Sequence, residues 1–283
     1  MNYSDKIAPV EQFLPFIISL REKVVVVKYG GSAMKSENLT KQVIENISLL
    51  SKLGINFVIV HGGGPIINEW LEKVSIIPKF KNGIRVTDKS TMDIVEMVLA
   101  GKINTNLVKL LNHNNVKAIG LSGQDSSFIL ANPVSESEEN FVANIKSINT
   151  DLLELLIRNK YIPVISPIAS GPSGESYNIN ADVVAGSVAS ALNAHNLLML
   201  TDTPGILSNP DDLSSRFDFL TPYKVNTLIN ENIITGGMLP KINSCIKAIA
   251  EGVSSVEILD GRVPNAILLS LLTDAKVGSV IAN

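Results

Sequence analysis

A lysine beside paired glycines is chemistry suited to phosphate. This chain places one directly after an apolar run, in Val24-Val25-Val26-Val27-Lys28-Tyr29-Gly30-Gly31-Ser32. Glycines with free φ let successive backbone N–H groups turn inward as an anion-binding nest, and an ammonium group adds a mobile point charge. The device recurs at His61-Gly62-Gly63-Gly64-Pro65, after the apolar stretch Asn56 to Val60 and before a helical pattern from Ile66 to Val74. A helix N-terminus attracts anions through its free N–H groups and its dipole. A further glycine pair with a lysine close behind, Gly236-Gly237-Met238-Leu239-Pro240-Lys241, opens another helix. Each alone reads as well as a tight strand-to-helix turn with a solvated lysine. Two on neighbouring strands converge on one crevice, which favours a phosphate site. Neither GxxxxGK[ST] nor GxGxxG occurs, which disfavours a P-loop NTPase or a standard dinucleotide fold.

Other polar residues stand where such a crevice could use them. Arg85 lies in a hairpin expected over Phe80 to Asp88 with its turn at Asn82-Gly83, and its planar fork suits a carboxylate. Tyr177 to Asp182 places Asn178 and Asn180 on one strand face and Asp182 at a helix start, where an ordinary helix cap is its plainest role. Thr201-Asp202-Thr203-Pro204-Gly205-Ile206-Leu207 follows a buried strand and so falls on the binding edge. The three histidines, His61, His113 and His195, show no metal-ligand spacing. The single cysteine, Cys245, permits no intrachain disulfide and reads as an inert buried thiol.

The elements that must position these groups alternate along the chain. Four consecutive valines predict a strand buried on both faces, hence a central parallel strand. Leu39, Val43, Ile47 and Leu50 mark a helix closing at Gly54, and the strand to Val60 completes a βαβ unit. Ser90 to His113 reads as one long helix, Val116 to Leu121 as a third parallel strand, and Phe128 to Ile148 as short β pieces. The acidic run Ser135 to Glu139 reads as a solvated loop tip, and the turn-rich Ser170 to Gly174 as a lobe boundary. Helices from Asp182, Thr221, Gly236 and Pro264 then alternate with strands Asn196 to Thr201, Ser255 to Leu259 and one ending near Ile281. The fold class is α/β, doubly wound, with a mostly parallel sheet. Ahead of it, Ile7, Val10, Phe13 or Leu14, and Ile17 suggest an amphipathic helix bent near Pro15, fit to pack on its own domain or on another subunit.

Composition sets the remaining bounds. The chain has 283 residues, 45% hydrophobic and 18% charged, which suits one large α/β domain or two lobes. A net charge of −3 with no basic block argues against nucleic acid or an anionic membrane as partner. No apolar run is long enough to span a bilayer. Phe13 to Leu20 is short, contains Pro15 and lacks a small-residue cleavage site, so it does not read as a signal sequence; an intracellular location is expected.

Six motifs in order now carry a resemblance. They are Lys28-Tyr29-Gly30-Gly31, His61-Gly62-Gly63-Gly64-Pro65, Asn82-Gly83-Ile84-Arg85-Val86-Thr87-Asp88, Asn178-Ile179-Asn180-Ala181-Asp182, Thr201-Asp202-Thr203-Pro204-Gly205-Ile206, and Gly236-Gly237-Met238-Leu239-Pro240-Lys241. Together they resemble the amino-acid kinase family over nearly the whole chain. The resemblance implies an open three-layer αβα sandwich. Residues 1–22 would be an oligomerising helix, 23–175 an N-lobe for the amino-acid substrate and 176–283 a C-lobe for ATP. It further implies Mg-ATP-dependent phosphorylation of the γ-carboxylate of N-acetyl-L-glutamate, in arginine biosynthesis. Lys28 and Lys241 would neutralise the moving phosphoryl group and Asp182 would hold both. Gly63, Gly64, Arg85, Asn178 and Asn180 would bind substrate; Gly30, Gly31, Thr201, Asp202, Gly205, Ile206, Leu207, Gly237 and Met238 would bind phosphate or nucleotide. Magnesium would be held mainly by ATP.

The same resemblance implies a homohexamer linked by the N-terminal helix, arginine as a feedback inhibitor, and the PII nitrogen-signalling protein as partner in photosynthetic lineages. The arginine pattern falls around Asp260-Gly261-Arg262 and Ala266 to Gly278. Here Glu257 and Asn265 replace the usual His, and Ser270 the usual acid. A lost carboxylate weakens guanidinium recognition by about 1.5–3 kcal/mol. High Asn and Ile usage suggests an AT-rich genome, and so the plastid stroma beside the cytoplasm as a location. The competing readings are a sibling kinase for glutamate, aspartate, carbamate or UMP, and a non-catalytic nucleotide sensor on the same fold.

Overall fold

The computed structural model describes residues 3–34, 36–81, 84–134 and 140–283. The expected Asn82-Gly83 turn and Ser135 to Glu139 loop tip lie outside the described residues. Helix α1 (Tyr3–Leu20) runs unbroken through Pro15. Next come β1 (Val24–Tyr29), a 3-10 turn at Gly31–Met34, α2 (Glu37–Lys52) and β2 (Asn56–His61), the expected βαβ unit. Ser36 starts α2 by accepting the Leu39 N–H at 3.4 Å. Helix α3 (Gly64–Lys73) leads to the hairpin strands β3 (Phe80–Lys81) and β4 (Ile84–Arg85), and Asp88 then caps α4 (Lys89–Glu96) through the Thr91 N–H at 2.8 Å.

The single helix expected over Ser90 to His113 is three pieces: α4, a π-helical segment Met97–Ile103, and α5 (Asn104–His113). Periodicity could not distinguish them, because a π turn widens the ladder without breaking the apolar face. After α5 come β5 (Lys117–Ser122), β6 (Ile129–Pro133), β7 (Ala143–Ile148), α6 (Asp151–Arg158), β8 (Tyr161–Ser166), β9 (Ile168–Ser170) and β10 (Ser176–Asn178). The C-terminal part is α7 (Ala181–Ala191), β11 (Asn196–Thr201), β12 (Phe219–Leu220), α8 (Pro222–Asn230), α9 (Met238–Ala250), β13 (Ser255–Asp260), α10 (Ala266–Leu272) and β14 (Gly278–Ala282).

Eight strands form one sheet in the order β12-β14-β13-β11-β1-β2-β8-β5. All neighbours from β13 across to β5 are parallel, and β14 turns antiparallel to β13. Strand β1 thus sits centrally, with β2 on one side and β11 on the other, the arrangement that opens a crevice at the carboxyl edge. A second sheet, β10-β9-β6-β7, stands apart from it, and Ser170 to Gly174 closes the hairpin between β9 and β10.

Strand alternation divides β1 between two cores. Val25, Val27 and Tyr29 join Phe57, Ile59 and Leu198 on one face, whereas Val26 joins Val58, Met199, Val184 and Val188 on the other. Lys28 has the parity of Val26 and so meets α7 and α9. These helices pack tightly: a Cβ at Gly186 of α7 would lie 3.1 Å from the Ser244 carbonyl oxygen of α9. Replacing Gly186 with Leu should therefore destabilise the protein by about 1–3 kcal/mol through overpacking. Gly186→Ala should stay near wild type, because its helix-propensity gain offsets a small shift. Urea-unfolding midpoints of both variants check this.

Candidate active site

The carboxyl ends of β1 and β2 meet backbone to backbone. The Gly62 N–H donates to the Tyr29 carbonyl at 2.8 Å, and a Cβ at Gly30 would lie 3.7 Å from the Gly62 Cα. That added Cβ would also sit 3.0 Å from Lys28 Nζ, so the position suits glycine. Gly31 has φ +73°, and its chain then passes beside the carboxylate of Asp202. Gly63 and Gly64 open α3, where the cap position offers no side-chain acceptor to the first amides.

Lys28 points from β1 at Asp182, in the first turn of α7. Its Nζ lies 3.0 Å from Asp182 Oδ1, and Lys241 Nζ, from the first turn of α9, donates to Asp182 Oδ2 at 2.9 Å. Both lysines are only 9% exposed. Burial pulls the Lys28 ammonium below its usual range, against the attraction of Asp182. Burial alone would raise the Asp182 carboxyl, but the two ammonium groups hold it below its usual value. The cluster carries two cations against one anion. Within the cluster one positive charge is left over, and Asp202, beside Gly31, is the other carboxylate whose charge acts on Lys28. The helix cap expected of Asp182 is made by Asn180 instead, whose Oδ1 accepts the Asp182 N–H at 2.8 Å. Nor do Asn178 and Asn180 share a strand face, since β10 ends at Asn178 and Asn180 belongs to the helix start.

A cleft of about 240 Å³ joins Lys28, Gly62, Gly63 and Gly64 to Arg85, Asn178 and Asp182. Arg85 is buried; its Nη2 donates to Asn68 Oδ1 at 2.6 Å and to the Gly64 carbonyl at 3.3 Å, while its Nη1 has no protein partner. Asn178 donates to Thr87 Oγ1 at 3.3 Å, and Thr87 donates to the Arg85 carbonyl at 3.2 Å. A larger groove of about 790 Å³ beside α2, α3 and α5 is lined by Met34, Pro65, Ile66 and Leu110, with no buried ammonium or carboxylate among its walls.

The candidate nucleotide residues fall on the opposite flank of β1, next to β11. Thr201 is buried, and its carbonyl accepts the Gly261 N–H at 2.7 Å; Asp202 is exposed beside Gly31. Ile206 has its side chain in the core and its N–H bound to Ser279 Oγ at 2.8 Å, so that residue does not itself face the crevice. Leu207 bridges to Arg216, Gly205 is buried beneath the loop, and Gly237 and Met238 begin α9 just ahead of Lys241. Cys245 is buried in α9, and burial pushes its thiol up to about 12, so it offers no thiolate.

Three residues that organise the cleft were not among the expected site residues: Asn68, Asn104 and Thr87, the last standing only within a motif. Asn104, an uncharged polar residue next to the buried stripe at Ile103 and Leu107, was the most detectable. It is buried and donates to the Val164 carbonyl at 2.8 Å.

The family model for the amino acid kinase family matches residues 23–260. An acetylglutamate kinase from Pyropia yezoensis is 47% identical over 282 residues, 99% of each chain. One from Thermosynechococcus vestitus is 45% identical over 281 residues, 99% of this chain and 95% of that one. Among solved structures, N-acetylglutamate synthase from Neisseria gonorrhoeae, complexed with coenzyme A and N-acetyl-glutamate, superposes with TM-score 0.86 at 24% identity. It covers 98% of this chain and 63% of that one, a likeness of fold.

His61, beneath these loops, is fully buried and held at about 4, chiefly because burial disfavours its charged form. Its Nδ1 faces the Gly62 carbonyl at 3.0 Å and its Nε2 the Asn104 amide at 3.2 Å. A ring neutral on Nε2 satisfies both, as donor to the carbonyl and acceptor from the amide. Because the folded pKa lies below the unfolded one, this stabilisation is complete above pH about 6.5 and is lost as pH falls towards about 4. By pH 5 the loss amounts to about 2 kcal/mol. In His61→Gln, the fall in unfolding free energy between pH 7 and pH 5 should be smaller than wild type's by that amount, measured by urea unfolding at each pH.

Proposed function

The chain belongs to the amino acid kinase family, and from that premise we propose that it transfers the γ-phosphoryl group of ATP to the γ-carboxylate of N-acetyl-L-glutamate. The enzyme is thus a kinase of arginine biosynthesis, in keeping with its acetylglutamate kinase relatives. The observation that carries the reading is the buried Lys28–Asp182–Lys241 cluster, two cations on one anion beside the glycine loops, in a cleft also lined by Arg85, whose Nη1 has no protein partner.

The chemistry follows from charge. The acceptor carboxylate is already ionised at neutral pH, so no catalytic base is needed. A neutral, buried His61 is no obstacle to that. What remains is to align donor and acceptor and to spread charge in a loose transition state. In this assignment Lys28 and Lys241 meet the phosphoryl oxygens and the leaving oxygen, and Asp182 fixes both lysines. The amides at Gly30, Gly31, Gly63 and Gly64 cradle the phosphoryl group. Arg85 and Asn178 take the α-carboxylate and acetamido group, with Asn180 shaping the same edge. Thr201, Asp202 and the loop from Gly205 to Leu207, with Gly237 and Met238, border the nucleotide. A magnesium ion would be carried mainly on the nucleotide phosphates. That ion would neutralise β- and γ-phosphate charge. Residues 23–175 would form the acid-binding lobe and 176–283 the nucleotide lobe.

Assembly and regulation extend the reading. Helix α1 leaves Ile7, Val10, Leu14 and Ile18 exposed, a stripe suited to a second copy and hence to a homohexamer. Near α10, Ser270 donates to Glu257 Oε2 at 2.5 Å, which leaves a buried carboxylate next to position 270. This supports an arginine site despite the altered pattern. Relatives in a red alga and a cyanobacterium favour the plastid stroma as location.

Trapping with hydroxylamine should give hydroxamate only with ATP and N-acetyl-L-glutamate together. Its absence, or equal yield from free glutamate or aspartate, overturns the reading. Lys28→Ala and Lys241→Ala should each lower kcat by at least about 10²-fold, as expected for loss of a preorganised donor; a near-wild-type rate in either rejects its role. Activity titrated against arginine should fall, and a flat curve removes the regulatory site.

A further inference from the structure

We propose that Asn68 is a positioning residue for this reaction: it holds the Arg85 guanidinium so that its free limb faces the substrate's α-carboxylate. The proposal rests on the kinase reading above. Asn68 lies on α3, one turn beyond Gly64, and accepts from Arg85 Nη2 at 2.6 Å. The Gly64 carbonyl accepts from the same nitrogen at 3.3 Å. Arg85 is 7% exposed, and the Phe80 ring lies 4.8 Å from Cζ. One edge of the fork is thus engaged by α3, while Nη1 is buried without a protein partner, on a residue that lines the cleft with Lys28 and Asp182.

The arrangement answers a geometric need. Arginine is long and rotamer-rich, and β4 is two residues long, so its backbone fixes the side chain poorly. A bidentate partner of defined direction requires the guanidinium plane to be set before substrate arrives. Asn68 is a neutral acceptor, so it orients the fork without cancelling its charge. Because Asn68 and Gly64 sit on the same helix start, the carboxylate grip is also registered against the amides assigned to the phosphoryl group.

The test compares N-acetyl-L-glutamate with N-acetyl-4-aminobutyrate, which keeps the acceptor carboxylate and acetamide but lacks the α-carboxylate. Asn68→Ala should raise KM for N-acetyl-L-glutamate about tenfold, the scale of one lost charge-assisted hydrogen bond, with kcat and the KM for ATP within about twofold. With the aminobutyrate analogue, as substrate or competitive inhibitor, the same variant should match wild type within about twofold. Asn68→Asp keeps the acceptor and the fold but cancels the Arg85 charge; it should raise KM for N-acetyl-L-glutamate at least as much and again spare the analogue. Equal losses on both compounds, or no loss on either, overturn the proposal. Arg85→Lys separates it from the parent reading. If that variant leaves KM for N-acetyl-L-glutamate unchanged, Arg85 is not the carboxylate group and the assignment above fails. If it raises KM while Asn68→Ala does not, only the positioning role fails.

Discussion

Two ammonium groups and one carboxylate share a place that water hardly reaches, and much of the fold exists to make that tolerable. Removing an ion from water costs several kcal/mol even after relaxation, unless geometry and partners offset it. Here each Asp182 oxygen faces its own lysine, at 3.0 and 2.9 Å. The pairing needs β1, α7 and α9 to converge within one side-chain length. The absence of a side chain at Gly186 lets α7 approach Ser244 of α9. Asn180 takes over the capping of α7, so the Asp182 carboxylate stays available to the lysines. Within the triad one cation is in excess, and its poorly solvated setting strengthens its pull on an incoming anion.

The glycine loops depend on a second polar arrangement below them. Asn104 donates to His61 and to the Val164 carbonyl, which ties the ends of β2 and β8 together. That network is satisfied only while His61 is neutral, since a second ring proton would face the Asn104 amide hydrogens. Above it, a Cβ at Gly63 would meet Ile103 Cδ1 at 2.5 Å and Leu99 Cδ2 at 2.6 Å, both from the π-helical segment. The loop is therefore seated on apolar side chains whose positions follow from the π turn. Loop amides held so rigidly need little reordering when charge arrives.

Much of this was legible in sequence where period and composition act locally. The valine run announced a central strand, the glycine clusters marked its edge and that of β2, and β11 fell at its expected residues. What sequence could not supply was pairing across distance. Nothing local says that Lys28, Asp182 and Lys241 touch, or that Asn180 rather than Asp182 caps α7. The π segment hid inside a sound helical pattern. The antiparallel turn of β14 was invisible because an apolar strand reads alike in either direction. Asn68 was not singled out and Thr87 stood only within a motif, since their weight comes from Arg85, which reaches them only after the β3–β4 hairpin folds back on α3.

The cationic groups of the cleft are spaced by backbone rather than by side-chain choice. Lys28 leaves β1 beside Gly30, which touches Gly62; Arg85 is anchored on Gly64, two residues further along the same loop. The distance between the two charges is then set by the β1–β2 register, Lys28 opposite Val60 and Tyr29 opposite His61. A slip of one residue in β1 would turn every side chain to the opposite face. Lys28 would leave Asp182 and enter the apolar core formed by Phe57, Ile59 and Leu198. A buried ammonium parted from Asp182 would cost more than the exchanged valines could return. The same lysine that carries the chemistry therefore helps to enforce the register on which that chemistry depends.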